Sequence, residues 1–165
     1  MPTVSEQFKS YRDFASASLA EIYGDKLSAA YKVTANTLES GVWINESKKG
    51  VIEFSWKPMP WDAQLSPTNA IASGDFNGDG VLEFILAQNQ HSNQVETGLW
   101  SGNVGCYLEW KDGEFQVVDP KDSGIVLPSD TRSIQLIDID GDKLDDLIIG
   151  QNDDELLFFR NNKKK

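Results

Sequence analysis

Apolar residues follow two different periods along this chain, and the change falls near residue 38. Phe8, Tyr11, Ala15, Leu19 and Ile22 recur at intervals of three and four, the spacing that gathers side chains on one face of a helix, and Gly24 follows as a stop. Residues 5–37 are therefore predicted as helical, with a second, weaker helix from Asp25 to about Asn36. Beyond that point short β-rich runs take over. Gly41-Val42-Trp43-Ile44 and Val51 to Trp56 read as a hairpin across Glu46 to Gly50, and Lys57-Pro58-Met59-Pro60 should end the pairing because proline has no ladder donor.

From Thr68 the pattern repeats itself. A uniform offset of 63 residues lays Thr68 on Thr131, Asp75 on Asp138, Gly78 on Gly141, Asp79 on Asp142 and Glu83 on Asp146. The apolar run Phe84-Ile85-Leu86-Ala87-Gln88-Asn89 then falls on Leu147-Ile148-Ile149-Gly150-Gln151-Asn152. Each unit reads strand, acidic loop, strand. The first adds a hairpin, Cys106 to Trp110 and Phe115 to Val118, around the turn signal Asp112-Gly113, and the second adds Leu156 to Phe159. A repeated four-stranded unit is the pattern of a propeller blade. The predicted organisation is a helical lead-in over 1–37, blades over 38–162 and a polar tail over 163–165. Within it stand a partial blade at 41–56, a full blade at 69–118 and a partial blade at 132–160. The expected class is mainly β, a partial β-propeller of four-stranded antiparallel blades in an incomplete ring.

Charge sharpens this picture. The formal net charge is −11, from 26 acidic and 15 basic residues, which argues against nucleic acid or an anionic membrane surface as partner, since phosphate is bound by Lys and Arg. The acids concentrate in Asp75, Asp79 and Glu83, and again in Asp138, Asp140, Asp142, Asp145, Asp146, Asp153, Asp154 and Glu155, interleaved with Gly, Asn and apolar residues. Such segments repel themselves unless a cation neutralises them. One cysteine, Cys106, excludes an intrachain disulfide, and its neighbours Tyr107 and Leu108 suit a buried structural thiol. MPTVSEQFKSYRDF lacks the apolar segment of an export signal, and no apolar run is long enough to span a bilayer, so no membrane insertion is expected.

The two loops, D-F-N-G-D-G-V-L-E and D-I-D-G-D-K-L-D-D, aim alternate residues to one side, as a short loop must if it is to surround a hard cation with oxygen. Candidate ligands are Asp75, Asn77, Asp79, the carbonyl of Val81 and Glu83 in the first. In the second they are Asp138, Asp140, Asp142, the carbonyl of Leu144 and Asp146. An EF-hand loop needs a carboxylate at position 12 and a helix after it. Leu86 and Ile149 stand there instead, at the heart of β-branched runs.

With its last acid at position nine and a strand following at once, each loop resembles the FG-GAP repeat of integrin alpha-subunit propellers and the related VCBS-type repeats. The resemblance covers roughly Asn69 to Asn161 and implies that each loop joins the first two strands of a blade and binds Ca2+, giving two sites. It also implies that the hairpin at 41–56 is the outer half of a preceding blade and that the remaining blades of a larger propeller complete the ring. Three departures matter: Glu83 replaces the final Asp, Lys143 stands where Gly80 stands in the first loop, and the FG and GAP residues are not evident.

Other constellations are thin. There is a single histidine, His91, with no G-x-S-x-G elbow and no H-E-x-x-H helix, so the chain is not expected to be an enzyme. The polar excursion 88–103 places His91, Glu96 and Trp100 as candidates for a ligand surface, with an ordinary decorated loop as the alternative. Trp43, Trp56 and Trp110 lie inside strand patterns and are expected to pack between blades. The expected function is a calcium-binding scaffold, or a protein- or glycan-binding surface, in an exported protein. Exposed loops of this kind suit the calcium levels of an extracellular or periplasmic setting. The alternative is an accessory propeller segment of a larger enzyme such as a lyase or phospholipase.

Overall fold

The computed structural model describes residues 2–162, so the polar tail expected at 163–165 lies outside the described residues. The chain divides after Leu38 into two compact units. In the first, the expected helical period is carried by three short helices, α1 (Pro2–Gln7), α2 (Tyr11–Ser16) and α3 (Leu19–Tyr23). Serines cause the breaks. The Ser10 hydroxyl accepts from the Asp13 N–H, and Ser18 forms a reciprocal capping box with Glu21, so each serine starts a new helix and does not continue the old one. Gly24, at φ +52°, ends α3 as its spacing suggested.

The helix expected over 25–36 does not form. A single 3-10 turn spans Gly24–Leu27, and no helix or strand lies between Ser28 and Ser40. Tyr31 and Val33, two apart and so on different sides of any helix, are 92% and 78% exposed. A helix this short needs a surface to pack on, and without one nucleation is unfavourable.

The second unit is mainly β, built as three antiparallel sheets. The first sheet pairs β1 (Gly41–Asn45) with β2 (Phe54–Pro58). This corrects the predicted hairpin: the second strand begins three residues later, and Pro58 belongs to it, opposite Gly41. In a two-stranded sheet every strand is an edge, and a terminal proline there forfeits no ladder bond. The Trp43 and Trp56 rings meet across this hairpin with centroids 5.2 Å apart, a contact within one sheet.

The second sheet has the order β3 (Thr68–Gly74), β4 (Glu83–Gln88), β5 (Cys106–Lys111), β6 (Glu114–Val118), and a short helix α4 (Pro120–Ser123) follows it. The third has the order β7 (Thr131–Ile137), β8 (Asp146–Gln151), β9 (Leu157–Phe159). The sequence repeat is a structural repeat. Ala70↔Ala87 through Gly74↔Glu83 match Ser133↔Gly150 through Ile137↔Asp146, and the register irregularity after Thr68 recurs after Thr131.

Side-chain alternation along β4 explains why its run is so continuously apolar. Leu86 joins Ala63, Cys106, Leu108 and Phe115 in a core that also takes in Val42, Met59, Phe84 and Trp110. Ile85 points the other way, into a core with Leu127, Leu147 and Ile149, against which Phe76, Tyr107 and Phe159 pack. β4 is thus buried on both faces. Trp110 stacks edge-on against Phe115 within the second sheet, at 4.7 Å. Burial pushes the Cys106 thiol up to about 12, helped by the nearby charge of Asp62, which keeps it protonated. Among the described residues no helix is long and apolar enough to cross a membrane.

Candidate metal centres

Each acidic loop joins the first two strands of its sheet, β3 to β4 and β7 to β8. Both close by side chains bonding to backbone within the loop. In the first, Asp75 Oδ1 accepts from the Gly78 N–H at 2.6 Å and Oδ2 from the Gly80 N–H at 3.1 Å. Asn77 Oδ1 accepts from the Asp79 N–H at 2.8 Å, and Asp79 Oδ1 accepts from the Val81 N–H at 2.7 Å. The second repeats the scheme through Asp138 with Gly141 and Lys143, Asp140 with Asp142, and Asp142 with Leu144. Such bonds demand left-handed backbone at fixed places: φ is +80° at Gly78 and +86° at Gly80, and +82° at Gly141 and +71° at Lys143. Lys143 holds a conformation that suits glycine.

The last acid of each loop is the first residue of the following strand, and there it is buried, Glu83 at 1% exposure and Asp146 at 2%. Glu83 Oε2 accepts from the Phe76 N–H at 2.7 Å, the Asn77 N–H at 3.1 Å and the Tyr107 hydroxyl at 3.2 Å. Burial first, and then the Glu83 charge, push the Tyr107 hydroxyl well above its usual range, so it donates. Asp146 accepts from the Asn161 N–H at 2.8 Å and the Ile139 N–H at 3.0 Å, and these bonds hold its carboxyl below the ordinary carboxylate range. Asn161 also reaches the first loop, its side-chain amide donating to the Phe76 carbonyl at 3.4 Å.

Asp75, Asp79 and Glu83 bring carboxylate oxygens within 4.8 Å of one another, and so do Asp138, Asp140 and Asp146. Oxygens around one calcium ion at ~2.4 Å lie no more than about twice that distance apart, a limit both groups meet. The donor set is oxygen alone, hard and anionic, and fits Ca2+ better than a softer ion. Asp142 lies outside the converging group, with its carboxylate on the Leu144 N–H, whereas its counterpart Asp79 lies inside. Val81 and Leu144 hold their places in the two loops through those same N–H bonds.

His91 and Trp100 line different hollows. His91 lines a hollow of about 210 Å³ with Ser92, Ser129, Asn152, Asp153 and Asp154. Trp100 lines a different one, with Leu99, Gly102 and Ser40, and Glu96 is exposed in the turn between them. The excursion is anchored: Gln90 and Trp100 bridge in antiparallel fashion, and the His91 N–H donates to Asp130 Oδ2 at 3.1 Å. Burial opposes charge on Asp130, but Arg132, the His91 N–H and Asn152 together keep its carboxyl below the usual range.

Three residues that touch the loops lie outside both motifs: Tyr107 on Glu83, Asn161 on Asp146, and Arg160 in an ion pair with Asp140. Tyr107, Arg160 and Asn161 come from the neighbouring strand or its end, and no spacing rule within a loop points to them. Comparison with protein-family models, curated proteins and solved structures finds no match.

Proposed function

We propose that this chain is a non-enzymatic calcium-binding module of FG-GAP or VCBS type, a set of propeller blades acting as a scaffold or binding surface in an exported protein. The observation that carries this reading is the repeat of one device: two loops 63 residues apart, each bringing three carboxylates within 4.8 Å of one another, each ending on a buried acid that opens the next strand. The shared register of the two sheets supports their reading as successive blades, with the hairpin of β1 and β2 as part of a third.

In the proposed sites Asp75, Asp79 and Glu83, and Asp138, Asp140 and Asp146, would hold Ca2+, which neutralises the loop and leaves the backbone turns in place. The ion supplies cross-linking and no chemistry. Binding to the native state alone stabilises by about 2.7 kcal/mol per site at a hundredfold excess over the dissociation constant. The test is a thermal melt of the full chain in millimolar Ca2+ and in EGTA. A rise of several degrees with calcium, reduced in Asp75→Ala and in Asp138→Ala, supports the reading. Identical melts in both buffers contradict it.

A further inference from the structure

The two loops differ in charge at one ligand position, and a flanking position differs in charge in the opposite, compensating sense. Asn77 of the first loop corresponds to Asp140 of the second, an added carboxylate. The flanking difference is found through strand register. Phe84 pairs with Leu108 and, 63 residues on, Leu147 pairs with Phe159. One residue further toward the loop the neighbouring strand carries Glu109 in the second sheet and Arg160 in the third. Arg160 forms an ion pair with Asp140 Oδ2, on the one carboxylate that the first loop lacks. Glu109, at the same place beside the first loop, forms no ion pair among the described residues and adds negative charge near Tyr107 and Glu83.

We infer that Arg160 is a built-in counter-cation of the second loop, holding Asp140 when calcium is absent, so that this loop folds without metal and binds calcium more weakly than the first. The inference rests on the calcium reading above. Asp140 belongs to the converging group, so an arriving ion must draw it away from the guanidinium or share it, and in either case it meets a like charge. Arg160 is free to yield: its side chain is 62% exposed, it sits just past the end of β9, and leaving Asp140 returns it to water. Among the described residues the first loop has no such ion pair. Its three carboxylates and Glu109 find no cationic side chain there, which makes it the site that fills first.

Calcium calorimetry on two backgrounds separates the sites, Asp75→Ala reading the second loop and Asp138→Ala the first. Arg160→Gln in the Asp75→Ala chain should tighten calcium about tenfold and lower the melting temperature in EGTA. Glu109→Arg in the Asp138→Ala chain should weaken calcium by a similar factor, and it decides the matter if Arg160→Gln does not fold. Unchanged affinity in both variants, with calcium still bound by each background, overturns the inference and leaves the calcium reading standing. No uptake at millimolar calcium by any folded chain, Arg160→Gln included, overturns the calcium reading and the inference with it.

Discussion

The first loop ends on a glutamate gripped by two backbone N–H groups and a tyrosine hydroxyl, whereas the second ends on an aspartate held by two N–H groups, with an arginine covering its neighbour Asp140. The backbone path is nearly the same in both. What differs is how each loop compensates its charge: the first has the longer final acid, both glycines and, among the described residues, no ion pair, and the second has an extra carboxylate, a strained lysine and its own guanidinium. A repeat can therefore preserve a turn while its two copies handle the same electrostatic problem by different means.

The largest difference is expected at the final acids. In EGTA, Glu83→Ala strands the Phe76 and Asn77 amides and the Tyr107 hydroxyl and should cost about 2 kcal/mol, after allowance for relieved repulsion. Asp146→Ala frees two donors, one fewer, and should cost less. Urea unfolding of the two variants measures this, and a greater loss at Asp146 would break the comparison.

Backbone strain gives the next effect. Gly80→Ala places a Cβ where no atom lies within 4 Å, so its cost, about 1 kcal/mol, is that of the left-handed conformation alone. Lys143→Gly should recover a similar amount and tighten the second site as well, since it also removes a positive charge. If neither substitution moves the denaturation midpoint, the two turns are not under the strain their φ angles imply.

A smaller effect should appear in acid. Asp146 has a folded-state pKa below its unfolded value, because the Asn161 and Ile139 amides bind its charged form. Between the two values the unfolded chain holds the extra proton, so this contribution is complete above about pH 4 and is lost as pH falls further. Asp146→Asn should make stability in EGTA less steep below about pH 4. An unaltered slope would show that another group governs the acid limb.

Much of this comparison is legible in the sequence. The offset between Asp75 and Asp138, the absence of an acid at Leu86 and Ile149, and the Asp112-Gly113 hairpin all depend on local spacing, and local spacing survives folding. Both residues of that hairpin turn do take positive φ, +54° and +86°. Arg160, Asn161 and Tyr107 escaped because they meet the loops across a strand pair, and only register says which residue of the adjacent strand arrives beside the acidic turn. The helix expected at 25–36 failed for a different reason: the stretch lacks the clear spacing of Phe8 to Ile22, and Tyr31 and Val33, two apart, are both exposed. Pro58 was read as a breaker, yet its place at a sheet edge made its missing donor harmless.

The central claim is that each loop holds one calcium ion. Native mass spectrometry of the full chain exchanged into millimolar calcium counts them directly. Two ions on the unaltered chain, and one on either Asp75→Ala or Asp138→Ala, are expected; no specifically retained calcium, or two ions on both variants, would contradict the assignment.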